Sequence, residues 1–312
     1  MSDKESNDEI EVISERLQVA TTIDSAHNNV QQQQGKGSRK NSNNVQPGDV
    51  RKSCSAITKT TTTTLDNCVL VRNIPELNLP EKIIFVIDTV REQQCTPFKL
   101  GTGATFSPLY MIRRVVESFV GAKSTIQPGV HEYALMSLGS QGASWLCDYT
   151  SNIKTVVNHL ESITEDVLDE EQKTYDLGQL FEAIHARIAI PAMNQPIFVS
   201  RVILIYGRSN SIPKFHTGHK YLENLTGNPC FFLDVLFVHE PASDDNMCEA
   251  VYAEIAALDT TSYSYILEVG RNPAKLHDNM AKLLAHPLQR PLQKDAFYSF
   301  ISNTAQEVHT NV

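Results

Sequence analysis

Three long, mostly apolar runs constrain the fold of this chain more than any other feature: "KIIFVIDTV" at 82–90, "RVILIYG" at 201–207 and "CFFLDVLFVH" at 230–239. A strand with one wet face alternates apolar and polar residues. A strand that is apolar throughout is covered on both faces, as in a parallel sheet between two layers of helices. The stretches between the runs supply those helices. In "SPLYMIRRVVESFV", Ser107 is placed to cap and Pro108 suits the first turn, with Leu109, Ile112, Val116 and Phe119 on one face. Ser151 is placed to cap "NIKTVVNHLESI", where Ile153, Val156, Val157 and Leu160 form a stripe. Further helices are predicted in "DLGQLFEAIHARIAI" (176–190), in "MCEAVYAEIAALD", and in "NPAKLHDNMAKLLA", which Asn272 and Pro273 open and which runs to Ala285.

"HEYALMSLG" (131–139) and "SWLCDYT" (144–150), joined by a short glycine-containing turn, predict a hairpin and hence one antiparallel edge strand. "SYSYILEVG" (262–270) is the last predicted strand. Alternating strands and helices define the fold class as α/β, with a doubly wound, mostly parallel sheet and helices on both faces.

This domain is expected to span 76–286, after a disordered tail at 1–75 and before a C-terminal tail at 287–312. The first tail holds "QQQQ", "NNVQPG" and "TTTTT", segments too poor in apolar surface to offset their ordering entropy. Its charges balance, so the net charge of −9 rests on the remainder. An acidic body lacks the clustered Lys and Arg that phosphate contacts need, which argues against direct nucleic-acid binding. The six cysteines include no CxxC pair and read as free thiols of a reducing compartment. The acidic, polar N-terminus is unlike a signal peptide, and no run approaches the ~20 apolar residues of a membrane span. The chain is expected to be soluble and intracellular.

In doubly wound sheets ligands bind at the carboxyl ends of the strands, where Asp88 stands. A magnesium site there wants several oxygens, such as a D-x-S-x-S loop would supply. This chain has Val90 and Glu92 at the two later positions, and Gly207 followed by Arg208 where a second aspartate would close its strand. The metal position therefore reads as degenerate at Asp88, Val90 and Gly207, with Asp88 expected to cap a turn or pair with Arg208. The alternative is a metal-dependent ligand-binding domain using Asp88, Glu92 and Thr174. His216 and His219 lack a third ligand and read as an exposed loop. No GxSxG, P-loop or GxGxxG motif occurs, so no catalytic residues, no enzyme activity and no cofactor are expected.

The end of the last helix carries "MAKLLAHPLQRPLQK". Pro287 and Pro291 bracket Leu288, Gln289 and Arg290 and favour an extended, pre-ordered segment. Such a segment suits docking in a partner's groove, and it suits a simple chain exit equally.

"PEKIIFVIDTV", the "SWL" around Trp145, "FFLDVLFVH" and above all "MAKLLAHPLQRP" resemble the MERIT subunit family of the BRISC and BRCA-A deubiquitinase complexes, over about residues 76–298. The resemblance implies a von Willebrand A-like domain that is a scaffold and not an enzyme. It implies binding to the BRE subunit, built from ubiquitin-conjugating-like domains, beside a metalloprotease deubiquitinase subunit and its Abraxas-type scaffold. That assembly would cleave signalling-type, non-degradative ubiquitin chains in the DNA damage response, in nucleus and cytoplasm. The family's docking peptide falls on Pro287, Leu288, Gln289, Arg290 and Pro291. Some members carry an R-x-x-P-[DE]-G element similar to tankyrase ligands; here "RNIPEL", Arg72 to Leu77, ends in leucine and departs from it.

Overall fold

The computed structural model describes residues 78–167, 172–192 and 196–296. The expected disordered tail, the tankyrase-like element and the end of the C-terminal tail lie outside them. The central sheet has six strands: β1 (Glu81–Asp88), β2 (Glu132–Gly139), β3 (Gly142–Thr150), β4 (Val199–Tyr206), β5 (Phe231–Val238) and β6 (Ile266–Val269). Their order across the sheet is β3-β2-β1-β4-β5-β6. All neighbours are parallel except β2 and β3, the predicted antiparallel pair.

Six helices cover the two faces: α1 (Pro108–Ile126), α2 (Ile153–Glu161), α3 (Gly178–Arg187), α4 (His219–Thr226), α5 (Cys248–Ala256) and α6 (Pro273–Lys282). Strand β1 divides its side chains between the two cores. Ile83, Phe85 and Ile87 pack with α1, α2 and α6, while Ile84 and Val86 pack with α3, α4 and α5. Every residue of β4 and β5 is buried, which is why those runs carry no polar alternation.

Ser107 and Asn272 cap α1 and α6 as expected. The cap of α2 is Asn152, whose side chain accepts the Lys154 and Thr155 N–H groups, and not Ser151. The last strand is shorter than predicted, and α4 starts at His219, the end of the expected His216–His219 loop. Helix α6 stops at Lys282 because its end tightens: Leu283 and Leu284 donate to the carbonyls of Met280 and Ala281, three residues back. The Lys123 ammonium then takes the Leu284 carbonyl at 2.9 Å. No helix among the described residues is long and apolar enough to cross a membrane.

Candidate functional site

Two places on this scaffold carry the polar side chains singled out in the sequence. The first is the carboxyl end of β1, where the strand order reverses between β1 and β4. Asp88 is buried and accepts from the Val90 N–H at 3.2 Å, closing a turn, and from the Gly207 N–H at 3.1 Å. The Arg208 Nε lies 3.1 Å from both Asp88 carboxylate oxygens. Arg208 is fully buried, donates to the Gly139 carbonyl at 3.0 Å and lies 3.9 Å from the centre of the Tyr175 ring. Burial pushes the Asp88 carboxyl above its ordinary value against the pull of Arg208, whereas Asp88 overrides burial to raise the guanidinium still higher. The arginine therefore keeps its charge.

Glu92 accepts the Ser209 and Asn210 N–H groups, each at 2.8 Å, and holds the loop that carries Arg208. Thr174 is exposed and pairs with Ile212 in a two-stranded ribbon. Val90 has no side-chain oxygen, and a guanidinium sits on the aspartate that would have to meet the cation. These residues do not fit a divalent metal. The alternative grouping of Asp88, Glu92 and Thr174 is corrected accordingly: Glu92 serves backbone donors and Asp88 serves an arginine. His219 caps no loop site either, since its ring faces Glu223 at 3.0 Å.

The second place is the C-terminal segment. The chain expected to leave the domain at Pro287 stays on it through Ala296, which packs against the α1 side of the core. The segment is not extended. The His286 carbonyl accepts the N–H groups of both Gln289 (2.9 Å) and Arg290 (3.0 Å), which bends residues 286–290 into a turn. The His286 ring joins this turn to the chain entry: Nδ1 accepts from the Leu288 N–H at 3.1 Å, and Nε2 donates to the Leu79 carbonyl at 3.0 Å. Pro287 is buried, Leu288 packs beside Val199, Cys230 and Phe232, and Gln289 and Pro291 are exposed.

Arg290, inside the expected docking peptide, was expected to meet an acidic or carbonyl-rich groove on a partner. Here its partner is Asp234 of the same chain, on β5. The two guanidinium nitrogens reach the two carboxylate oxygens at 3.0 and 2.5 Å, and Nη2 also donates to the Tyr263 carbonyl at 2.9 Å. The arginine side chain is 1 % exposed and lies over the Tyr265 ring, 3.9 Å from its centre. Asp234 also accepts from Arg201 Nε at 2.8 Å and from the Tyr265 N–H at 2.8 Å. Arg201 continues to Glu81 at 3.0 Å, and Glu81 pairs with Lys123. Burial works to raise both carboxyls, but the Arg290 and Arg201 charges hold Asp234 below its ordinary value, and Lys123 and Arg201 do the same for Glu81. This network was missed in the sequence. Its signal was an aspartate inside "FFLDVLFV" and an arginine opening "RVILIYG", charges in strands whose burial demands partners.

The two sites define a doubly wound α/β domain of the von Willebrand A-like type, with an arginine on its metal position and its last turn strapped to the sheet. A scan against models of protein families finds no match. Curated proteins named BRISC and BRCA1-A complex member 1 do match. The Xenopus laevis protein is 30% identical over 246 residues, covering 76% of this chain and 73% of that one. The Homo sapiens protein is 31% identical over 244 residues (75% and 72%), and the Mus musculus protein 33% over 237 residues (73% and 69%). The chain belongs to the BRISC and BRCA1-A complex member 1 family. Similar solved structures include the SpRpn10 VWA domain, at 12% identity and a TM-score of 0.42 over 68% of this chain and 98% of that one. Another is the PilB minor pilin from Streptococcus sanguinis, at 11% identity and a TM-score of 0.46 over 70% and 64%.

Proposed function

We infer that this chain is a non-catalytic scaffold subunit of a deubiquitinase complex of the BRISC and BRCA1-A type. In this reading it binds the BRE subunit and supports the integrity of an assembly whose metalloprotease subunit, carried by an Abraxas-type scaffold, cleaves signalling-type ubiquitin chains. It works in the nucleus and cytoplasm, in the DNA damage response and in signalling. The observation that carries the reading is membership of a family whose members are named for those complexes. The turn at 286–290 supports a docking role for the segment. Pro287, Leu288 and Arg290 anchor it, which leaves Gln289 and Pro291 as the side chains turned to solvent. A turn already fixed on the domain has little entropy left to lose on binding.

The test is co-purification of the intact chain from cells, with bound proteins identified by mass spectrometry, beside a Gln289→Ala/Pro291→Ala form. The reading expects a metalloprotease deubiquitinase and its BRE-type partner on the intact chain and their depletion from the altered one. Absence of both proteins from the intact chain would overturn it.

A further inference from the structure

The two edges of the sheet are finished differently. At β6 the side-chain amide of Gln293 stands in for a neighbouring strand: it accepts the Ile266 N–H at 2.6 Å and donates to the Ile266 carbonyl at 2.8 Å. At the opposite end, β3 pairs with β2 on one side and, among the described residues, with no strand on the other. A nine-residue edge strand presents a row of unpaired N–H and C=O groups, a template for one more strand.

This edge is not flush with the surface. A groove of about 930 Å3 opens at the hairpin end of this strand, over Thr89, Ser137 and Gly139 at the ends of β1 and β2, and is walled by Gly142 to Ser144 and Leu146 of β3, by Ser162 to Asp166 after α2, and by Gln179, Glu182, Ala183 and Ala186 of α3. Helices α2 and α3 pack on opposite faces of the sheet, so the walls of the groove stand on either side of the strand edge. The lining includes the carboxylates of Glu165, Asp166 and Glu182 and no Lys or Arg. One oxygen of each is engaged, by Arg91, the Ser140 N–H and the Tyr221 hydroxyl respectively. The volume falls within the range of sites that enclose a ligand.

We propose that the β3 edge receives an extended segment of a partner protein, added as a further strand of the sheet, with Lys or Arg side chains set against the groove walls. Main-chain hydrogen bonds to β3 supply the attachment, and the carboxylates of Asp166 and Glu182, which no cation pairs among the described residues, select a basic segment. The inference rests on the reading of this chain as a subunit of a larger assembly and names a second contact for it, away from the C-terminal turn.

The test compares amide hydrogen exchange of the chain alone with that of the chain in its co-purified complex, the bound subunits serving as the probe. Exchange at Gly142–Leu146 is expected to slow at least tenfold in the complex. A Glu165→Lys/Glu182→Lys form, altered at partly exposed and exposed positions, is expected to keep the thermal midpoint and to bind its partners at least tenfold more weakly. Co-purification with unchanged exchange at β3 overturns this inference and leaves the subunit reading standing. Failure of any partner to co-purify overturns both.

Discussion

Arg290 and Asp234, 56 residues apart, form a two-pronged ion pair that ties the C-terminal turn to the middle of β5. Removing one partner of a buried pair leaves the other charge uncompensated, at a cost of roughly 3–5 kcal/mol. Asp234 keeps Arg201, so the lower end applies. Arg290→Ala is therefore expected to lower the thermal midpoint by about 10 °C at the usual ratio for a domain of this size. Arg290→Lys keeps the charge but not the fork, and should recover only part of it. An unchanged midpoint in the alanine form would mean that the turn hangs free.

Histidine 131 gives the fold a pH dependence. Its Nδ1 accepts the Glu81 N–H at 3.0 Å and can do so only unprotonated, and burial lowers its pKa from 6.5 to about 4. The unfolded chain thus takes up the proton first. The stabilisation is complete above pH 6.5 and is lost as pH falls toward 4, by up to about 1.4 kcal/mol per unit. His277 and His286, also held low by burial, act in the same direction. Below that range Glu81 and Asp234, whose folded pKa values lie under their unfolded ones, add a further loss as pH drops through them. Denaturant midpoints measured from pH 4 to 8 should rise to about 6.5 and then level, with a shallower rise in His131→Gln.

Arg208 answers the metal question at Asp88. With a buried guanidinium on the carboxylate, magnesium or manganese has nothing to bind in the native state, and only native-state binding raises the midpoint. Melting curves in either metal and in chelator are expected to coincide. Arg208→Met should lower the midpoint by about 10 °C by leaving Asp88 buried without its partner. A metal-dependent rise in the wild-type chain would contradict the assignment.

Gln293 closes the β6 edge through two hydrogen bonds to one residue. Gln293→Ala leaves the Ile266 N–H and carbonyl without those partners, at about 1–3 kcal/mol. Faster amide exchange at Ile266, with little change in the α1 core, is the expected result.

Much of the fold was legible because it follows from local rules. Mostly apolar runs gave the parallel strands, Ser107–Pro108 and Asn272–Pro273 gave two helix starts, and two strand-like runs joined by a short glycine-containing turn gave the antiparallel edge. The Asp88–Arg208 pair was legible because fold topology brings the ends of β1 and β4 together. Local rules failed where long-range charge pairing decides. Two prolines around Arg290 argue for an extended exit, but they contain no information about an aspartate on a distant strand that bends the segment inward. Ser151 and Asn152 are both capping residues, and only the entry angle of the chain selects the asparagine. Helix α4 is short and stabilised by packing of Leu222 and Leu225, so its sequence alone gave no signal.

The most direct test of the account is the affinity of purified BRE subunit for the intact chain and for Gln289→Ala/Pro291→Ala, with the thermal midpoint of each form as control. The account predicts at least tenfold weaker binding, about 1.4 kcal/mol, at an unchanged midpoint. Equal affinity in the two forms would contradict it, leaving the C-terminal turn as a structural strap and nothing more.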